Sequence, residues 1–238
     1  MSVKNTTVII PIHTIDEEIK KLLDRAVNSI DKKRNDIIIV GPNEVLKSLE
    51  TEYDYVDFVF NEDTDLFVQI NKAVMQCSTE FFTVLEFDDI LLENWNDIME
   101  SEIGNNSVLL PINEVFNFDK NEFICFGNEI MWDAAFVREE GKLGDITIDE
   151  LKGFKDFNVT GGLIKTETFI SIGKLKPEFK LTAWYEFLMR MLKSDKSVYV
   201  VPRVCYRHFV GRNGSYGVEI KEKVTPEEFK ELLDKIND

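Results

Sequence analysis

An α/β fold with a mixed, mostly parallel sheet flanked by helices is what this sequence predicts, and three observations predict it. Apolar, β-branched runs that read as buried strands alternate with helically spaced apolar residues from Thr7 to Phe87. The first strand, helix and second strand fit within roughly 35 residues, as a βαβ unit does. Three acids, Glu86, Asp88 and Asp89, follow the fourth strand, and open α/β sheets keep their ligand crevice beyond such strand ends.

Taken in order, Thr7 to Ile12 reads as a buried strand ended by Pro11 and His13. Asp16 to Ile30 places Ile19, Leu22, Leu23, Ala26, Val27 and Ile30 at helical spacing with charges between them. Asp36 to Val40 is a second buried strand, stopped by Gly41 and Pro42. A short helix over Val45 to Thr51, a strand over Val56 to Phe60, a helix over Leu66 to Gln76 and a strand over Phe81 to Phe87 complete the array. A helix from Glu93 to Ile103 follows the acids. Beyond it, Ser107 to Ile112 reads as a strand, and Glu114 to Gly153 gives no regular pattern. Helices are expected over Thr166 to Ile172 and Thr182 to Lys193, with a strand over Ser197 to Val201 that runs into Pro202. A terminal helix from Thr225 to Ile236 opens with a Thr cap and Pro226 at its first position.

With 238 residues, 44% of them hydrophobic, the chain can bury a full core as one domain. We expect residues 1–103 to form a nucleotide-sugar and metal-binding part, 104–216 an acceptor-side part, and 217–238 a tail and helix. No apolar run approaches the roughly 20 residues that span a bilayer. The opening MSVKNTT also lacks a signal-peptide pattern, so a cytoplasmic protein is expected. Cys77, Cys125 and Cys205 are too few and too widely spaced for a disulfide framework or a zinc site. The net charge of −16 is uneven: residues 1–150 carry 12 Lys and Arg against 32 Asp and Glu, whereas residues 151–238 carry 16 against 12. An acidic first part repels phosphate backbones, which disfavours broad nucleic-acid binding. Arg203, Arg207, His208 and Arg212 form a local basic cluster suited to a diphosphate, or a solvated basic loop.

The acidic cluster is the strongest chemical signal. Residues two apart on an extended chain point the same way, so Glu86 and Asp88 share a side while Phe87 turns inward. Mg²⁺ or Mn²⁺ takes one or two carboxylates and completes its shell with phosphate oxygens and water. The plain alternative is that Asp88 or Asp89 caps the next helix.

Several stretches, in order, resemble family 2-type glycosyltransferases of the GT-A fold: VIIPIHT (8–14), LLDRAVNSI (22–30), DIIIVGP (36–42), INKAV (70–74), EFFTVLEFDDILLENW (80–95), VTGGLIKTETFISIGKL (159–175) and WYEFLMRML (184–192). The resemblance implies transfer of a sugar from a nucleoside-diphosphate donor, with uridine diphosphate the expected carrier, to an acceptor hydroxyl, with inversion and with Mn²⁺ or Mg²⁺. It implies that Pro11, Ile12 and His13 line the base and ribose pocket, that Gly41 and Asn71 lie at the donor, and that Glu86 lies near the ribose. Asp88 would bind the metal with His208, Asp89 would act beside the metal and donor sugar, and Arg207, Arg212 and Ser215 would take phosphate oxygens. Two departures stand out. Gly41 and Pro42 replace the family's base-pairing acid, and no Glu-Asp pair precedes Trp184 and Tyr185. The catalytic base therefore moves to Glu186, which stands four residues before Arg190 and is equally placed for a helical ion pair. Trp184, Tyr185 and Phe187 around it would suit a sugar-binding wall.

Two other classes share these features. A nucleotidyltransferase also joins a βαβ site to paired acids and a metal, but it carries a glycine-rich basic loop where this chain reads PIHTIDEE. A catalytically silent nucleotide-sugar-binding module would keep the pocket and lose turnover. The acceptor, whether glycan, protein, small molecule or modified nucleobase, is not legible.

Overall fold

The computed structural model describes residues 4–129, 144–153, 157–215 and 224–237. The chain forms β1 (Thr6–Pro11), α1 (Glu17–Asn28), β2 (Asn35–Gly41), α2 (Asn43–Lys47), β3 (Asp57–Phe60), α3 (Leu66–Val74) and β4 (Phe81–Val84). It continues through β5 (Ile90–Leu91), α4 (Trp95–Ser101), β6 (Val108–Asn117), β7 (Glu122–Gly127) and α5 (Ile148–Gly153). The last elements are β8 (Leu163–Lys165), α6 (Thr166–Ser171), a 3-10 turn (Pro177–Thr182), α7 (Ala183–Lys193), β9 (Val198–Val210) and α8 (Pro226–Asn237).

The strands join in the order β3-β2-β1-β4-β8-β6-β9-β5, with β7 hydrogen-bonded to the side of β6. Strands β1 to β4 pair in parallel, as do β6 and β9, while β5, β7 and β8 run antiparallel to their neighbours. The central strands are buried on both faces. Val8 and Ile10 of β1 and Ile37 and Ile39 of β2 face one core, with α1 and α4 on top. Ile9, Ile38 and Val40 face the other, with α3 and α7 on top. This two-sided burial explains runs of apolar residues where an exposed sheet would alternate. Among the described residues no helix is long and apolar enough to cross a membrane.

The structure departs from the sequence expectation in its second half. Strand β9 runs on through Pro202 to Val210. The ladder skips there, with Pro111 opposite Val201 and Ile112 opposite Val204, so Pro202 and Arg203 bulge out and the missing proline N–H costs no bond. Strand β6 likewise extends to Asn117 and turns back as β7, inside the stretch read as irregular. Strand β7 is exposed on most of its residues and gives no burial pattern to read. Residues 130–143 of that stretch lie outside the described residues.

Candidate functional site

The acids are placed by what holds the chain after β4. Leu85 N–H donates to Ile9 O at 2.9 Å, keeping the chain beside β1 for one more residue, and a turn then closes with Asp89 N–H on Glu86 O at 2.9 Å. Phe87 is buried in the core as expected. The short strand β5 pairs Ile90 with Arg207 and Leu91 with Tyr206, and so draws β9 across the acids.

Asp89 is fully buried and its carboxylate is saturated. Tyr206 Oη donates to Oδ2 at 2.5 Å, His208 Nδ1 lies 2.8 Å from Oδ2, and Phe209 N–H donates to Oδ1 at 2.8 Å. Three contacts from alternate and adjacent residues of β9 make Asp89 the pin between the β4 turn and that strand. Gly161, at φ +74°, leaves the space for this: a Cβ there would fall 2.2 Å from the Tyr206 ring. Asp88 gives Oδ2 to Arg212 Nε at 2.6 Å and its carbonyl to Arg25 Nη2 at 2.5 Å, while the Arg212 guanidinium lies 4.8 Å from the Phe87 ring centroid. Glu86 is half-buried, and no described residue donates a hydrogen bond to its carboxylate.

The electrostatics follow from this crowding. Burial, reinforced by the negative charges of Asp89 and Asp88, pushes the Glu86 carboxyl up to about 8. Asp88 is also raised, by burial and Asp89, against the pull of Arg212. Burial works to lower His208, but contact with Asp89 and the charges of Glu86 and Asp88 outweigh it and lift the imidazole to about 9.

One crevice is lined by Pro11, His13, Gln69, Glu86, Phe87, Asp88, Arg212 and Ser215, with Thr64 and Leu66 at its edge. It shares Leu66, Glu86, Asp88 and Ser215 with a larger cavity of about 530 Å³. That cavity is walled by Asn113, Asn158, Thr160, Trp184, Tyr185 and His208 among others, and its size falls within the roughly 300–1,000 Å³ of small-molecule sites. Pro11, His13, Glu86, Asp88, His208, Arg212 and Ser215 are thus brought together from distant segments.

Other expected residues are placed elsewhere. Ile12 is fully buried in the core. Gly41 is a packing glycine: a Cβ there would sit 2.2 Å from Ile12 O. Asn71 spends its amide on Leu175, donating to its carbonyl at 2.8 Å and accepting from its N–H at 3.0 Å. Arg207 pairs with Glu114 at 2.9 Å and lies over the Phe116 ring, on the opposite side of β9 from His208. Glu186 is not on the cavity wall. Its two oxygens accept from Arg190 Nε at 2.9 Å and Nη2 at 2.6 Å, and Lys176 Nζ lies 2.9 Å from Oε1. Burial raises this carboxyl, but those two cations overcome it and hold it below the usual carboxylate value. Trp184 and Tyr185 do reach the cavity, whereas Phe187 is buried in the core. Sequence reasoning missed Gln69, Asn113, Asn158 and Tyr206, because polar residues inside apolar runs carry no spacing signal.

Glu86, Asp89 and His208 each offer a donor atom, all within 4.8 Å of one another. Two carboxylates and an imidazole are a fitting donor set for Mn²⁺ or a similar divalent cation, and Glu86 has a carboxylate free of other bonds. The set differs from the expected pair in that Glu86 and Asp89 stand in place of Asp88; both Asp89 oxygens already accept hydrogen bonds, so a cation there would take the place of the His208 contact with Oδ2.

No family model and no curated protein matches the sequence. Solved structures do match the fold. S. aureus TarS residues 1–349 superimposes with a TM-score of 0.66 at 15% identity, over 98% of this chain and 64% of that one. The same protein in complex with UDP-GlcNAc gives 0.65 at 16% identity, over 98% and 65%. GalNAc-T7 with UDP, GalNAc and Mn²⁺ gives 0.66 at 13% identity, over 98% and 48%. The chain therefore spans less than two thirds of the length of each of these structures. A curled, mostly parallel sheet flanked by helices, the acid turn after β4 and this superposition together identify the fold of the chain as GT-A.

Proposed function

We propose that the protein is a glycosyltransferase that binds a nucleoside-diphosphate sugar in the crevice beyond β1 and β4 and passes the sugar to an acceptor hydroxyl. The observation that carries this reading is the convergence of Pro11, His13, Glu86, Asp88, Arg212 and Ser215 on one crevice that opens into the larger cavity. Matching structures hold UDP, UDP-GlcNAc, or UDP with GalNAc and Mn²⁺, which supports a uridine nucleotide as donor.

His13 and Pro11 would border the nucleoside, and Arg212 and Ser215 would meet the diphosphate. Arg212 is a planar cation suited to phosphate oxygens, and Asp88 holds it in place. Glu86, Asp89 and His208 would hold a divalent cation, which when bound supplies Lewis-acid stabilisation of the departing diphosphate. The Tyr206 and Phe209 contacts keep Asp89 fixed, so the wall needs no rearrangement as charge develops. A single direct displacement at the anomeric carbon would invert it, and NMR of the product anomer reads this.

A second reading, donor binding without turnover, is favoured by one observation. The α7 residues on the cavity wall are Trp184 and Tyr185, and the carboxylate of that helix, Glu186, is committed to Arg190 and Lys176. A thermal-shift panel of nucleotides and nucleotide sugars, each with Mn²⁺ and with chelator, tests the donor site, since a ligand of the native state raises the melting temperature. The transferase reading expects a shift from a nucleotide sugar that needs metal and is lost in Glu86→Gln. Absence of any nucleotide shift sinks it, and binding without hydrolysis or transfer over long incubation selects the second reading.

A further inference from the structure

Glu86, Asp88 and Asp89 crowd three carboxylates into one turn, and the structure already sets a basic group against two of them. His208 Nδ1 lies 2.8 Å from Asp89 Oδ2, and Arg212 Nε donates to Asp88 Oδ2 at 2.6 Å. Arg212 is 9% exposed and Asp88 3%, and the guanidinium lies 4.8 Å from the centroid of the Phe87 ring. A charge held in this way is screened far less than that of a surface arginine. Its Nη1 donates to Asn213 O at 3.2 Å, and Nη2 has no partner among the described residues.

The pair with Asp88 is what gives Arg212 this place. In the turn 211–215 after β9 it is the one buried residue, while Gly211, Asn213 and Gly214 are exposed and Ser215 is half-buried. Arg25, the other guanidinium at the acid turn, stands differently: it reaches the Asp88 carbonyl from α1, lies over the Phe209 ring and lines neither the crevice nor the larger cavity. Among the described residues Arg212 is the single lysine or arginine that lines either of them, and it shares the crevice with Glu86 and Asp88.

A buried positive charge at that point acts on both expected ligands. Like charges repel strongly where water is excluded, so Arg212 opposes entry of a divalent cation at Glu86, Asp89 and His208. A diphosphate is an anion that accepts from a guanidinium, so one bound in the crevice offsets the charge of Arg212 and lifts that opposition. We propose that Arg212 is an internal counter-cation that keeps the metal site weak until a nucleoside diphosphate arrives, and so couples the two ligands. By linkage, each then strengthens the other by the same factor.

This inference rests on the donor-site and metal readings above, and the probes separate them: Mn²⁺ alone tests the counter-cation, and UDP tests the donor site. Mn²⁺ binding is followed by loss of the free-ion electron paramagnetic resonance signal in the wild type, Arg212→Gln, Arg207→Gln, Asp88→Asn and the double variant Asp88→Asn/Arg212→Gln. Without nucleotide, Arg212→Gln should bind Mn²⁺ about tenfold more tightly than the wild type. Arg207→Gln, which removes a charge paired with Glu114, should match the wild type. If Arg212→Gln does not fold with Asp88 unpaired, Asp88→Asn and the double variant decide the matter, since neither leaves a buried carboxylate without its partner. The double variant should again be the tighter of the two. Saturating UDP should tighten Mn²⁺ binding in the wild type by a factor that shrinks once Arg212 is removed, and uridine, which lacks the diphosphate, should have no such effect. Equal or weaker Mn²⁺ affinity on removing Arg212 overturns the proposal, as does a UDP effect undiminished by its removal, and in both cases the donor site stands. Failure of UDP to bind at all sinks the donor-site reading and the coupling with it, and absence of Mn²⁺ binding in every form sinks the metal assignment and the counter-cation together.

Discussion

The two walls of the cavity are built on opposite principles. At the acid turn every oxygen of Asp89 is bonded by residues of β9 and Asp88 is locked to Arg212 just beyond that strand, whereas Glu86 has no such partner. On the facing wall the polar groups are neutral and partly unbonded, at Asn113 and Asn158, and the helix beneath presents Trp184 and Tyr185. The difference reflects what each costs. A buried charge without partners is prohibitive, whereas a buried amide with one orphan atom is tolerable.

The largest effect should come from breaking the acid wall. Asp89→Ala leaves Tyr206 and His208 facing an empty buried site, and loss of one partner from such a network costs roughly 3–5 kcal/mol. Chemical denaturation should register that loss before any assay of function is meaningful. A variant as stable as the wild type would show that Asp89 is no pin, and the contrast between the walls would fail.

An intermediate effect tests whether α7 contributes chemistry or only scaffold. Glu186→Gln removes charge-assisted bonds to Arg190 and Lys176 that are worth about 1.5–3 kcal/mol in general, so stability should fall by that order. The folded carboxyl lies below its ordinary 4.5, so its contribution is complete above that value and disappears as pH falls through the lower folded value. The acid limb of the stability profile should therefore flatten in Glu186→Gln, while nucleotide-sugar binding is kept. Turnover reduced a hundredfold or more with stability intact would instead return Glu186 to the role of base.

The smallest effect is expected at the edge. Arg207 and Glu114 are both partly exposed, and such pairs contribute roughly 0–1 kcal/mol. Arg207→Gln should leave melting temperature and donor affinity nearly unchanged, in contrast to Arg212→Gln, which empties the partner of Asp88. If the two arginine variants weaken donor binding equally, the distinction between Arg207 on β9 and Arg212 beyond its end is wrong.

Much of the first half was legible because burial repeats in the sequence. The runs at Thr6–Pro11 and Asn35–Gly41 and the helical spacing from Glu17 to Asn28 match the elements found, within a residue or two. Strand β4 stops at Val84 rather than Phe87, since the Glu86 to Asp89 turn begins where apolar residues still continue. Strand β5, two residues long, and β8, three, are too short for any pattern and are defined only by their partners.

By itself the sequence determined the strands and helices of the first half, the two-sided burial of their sheet and the acid cluster after the fourth strand, because apolar periodicity is a local property that neighbours in the chain express. Only the tertiary structure decided which polar residues meet. Asp89 and His208 are 119 residues apart, Asp88 and Arg212 are 124 apart, and Asn113 and Asn158 reach one cavity from separate segments. It also decided that Glu186, Arg207 and Asn71 spend their polar groups on protein partners. The reason is physical: a side chain's chemistry is written in the sequence, but whether its bonds are already taken depends on what the fold brings beside it.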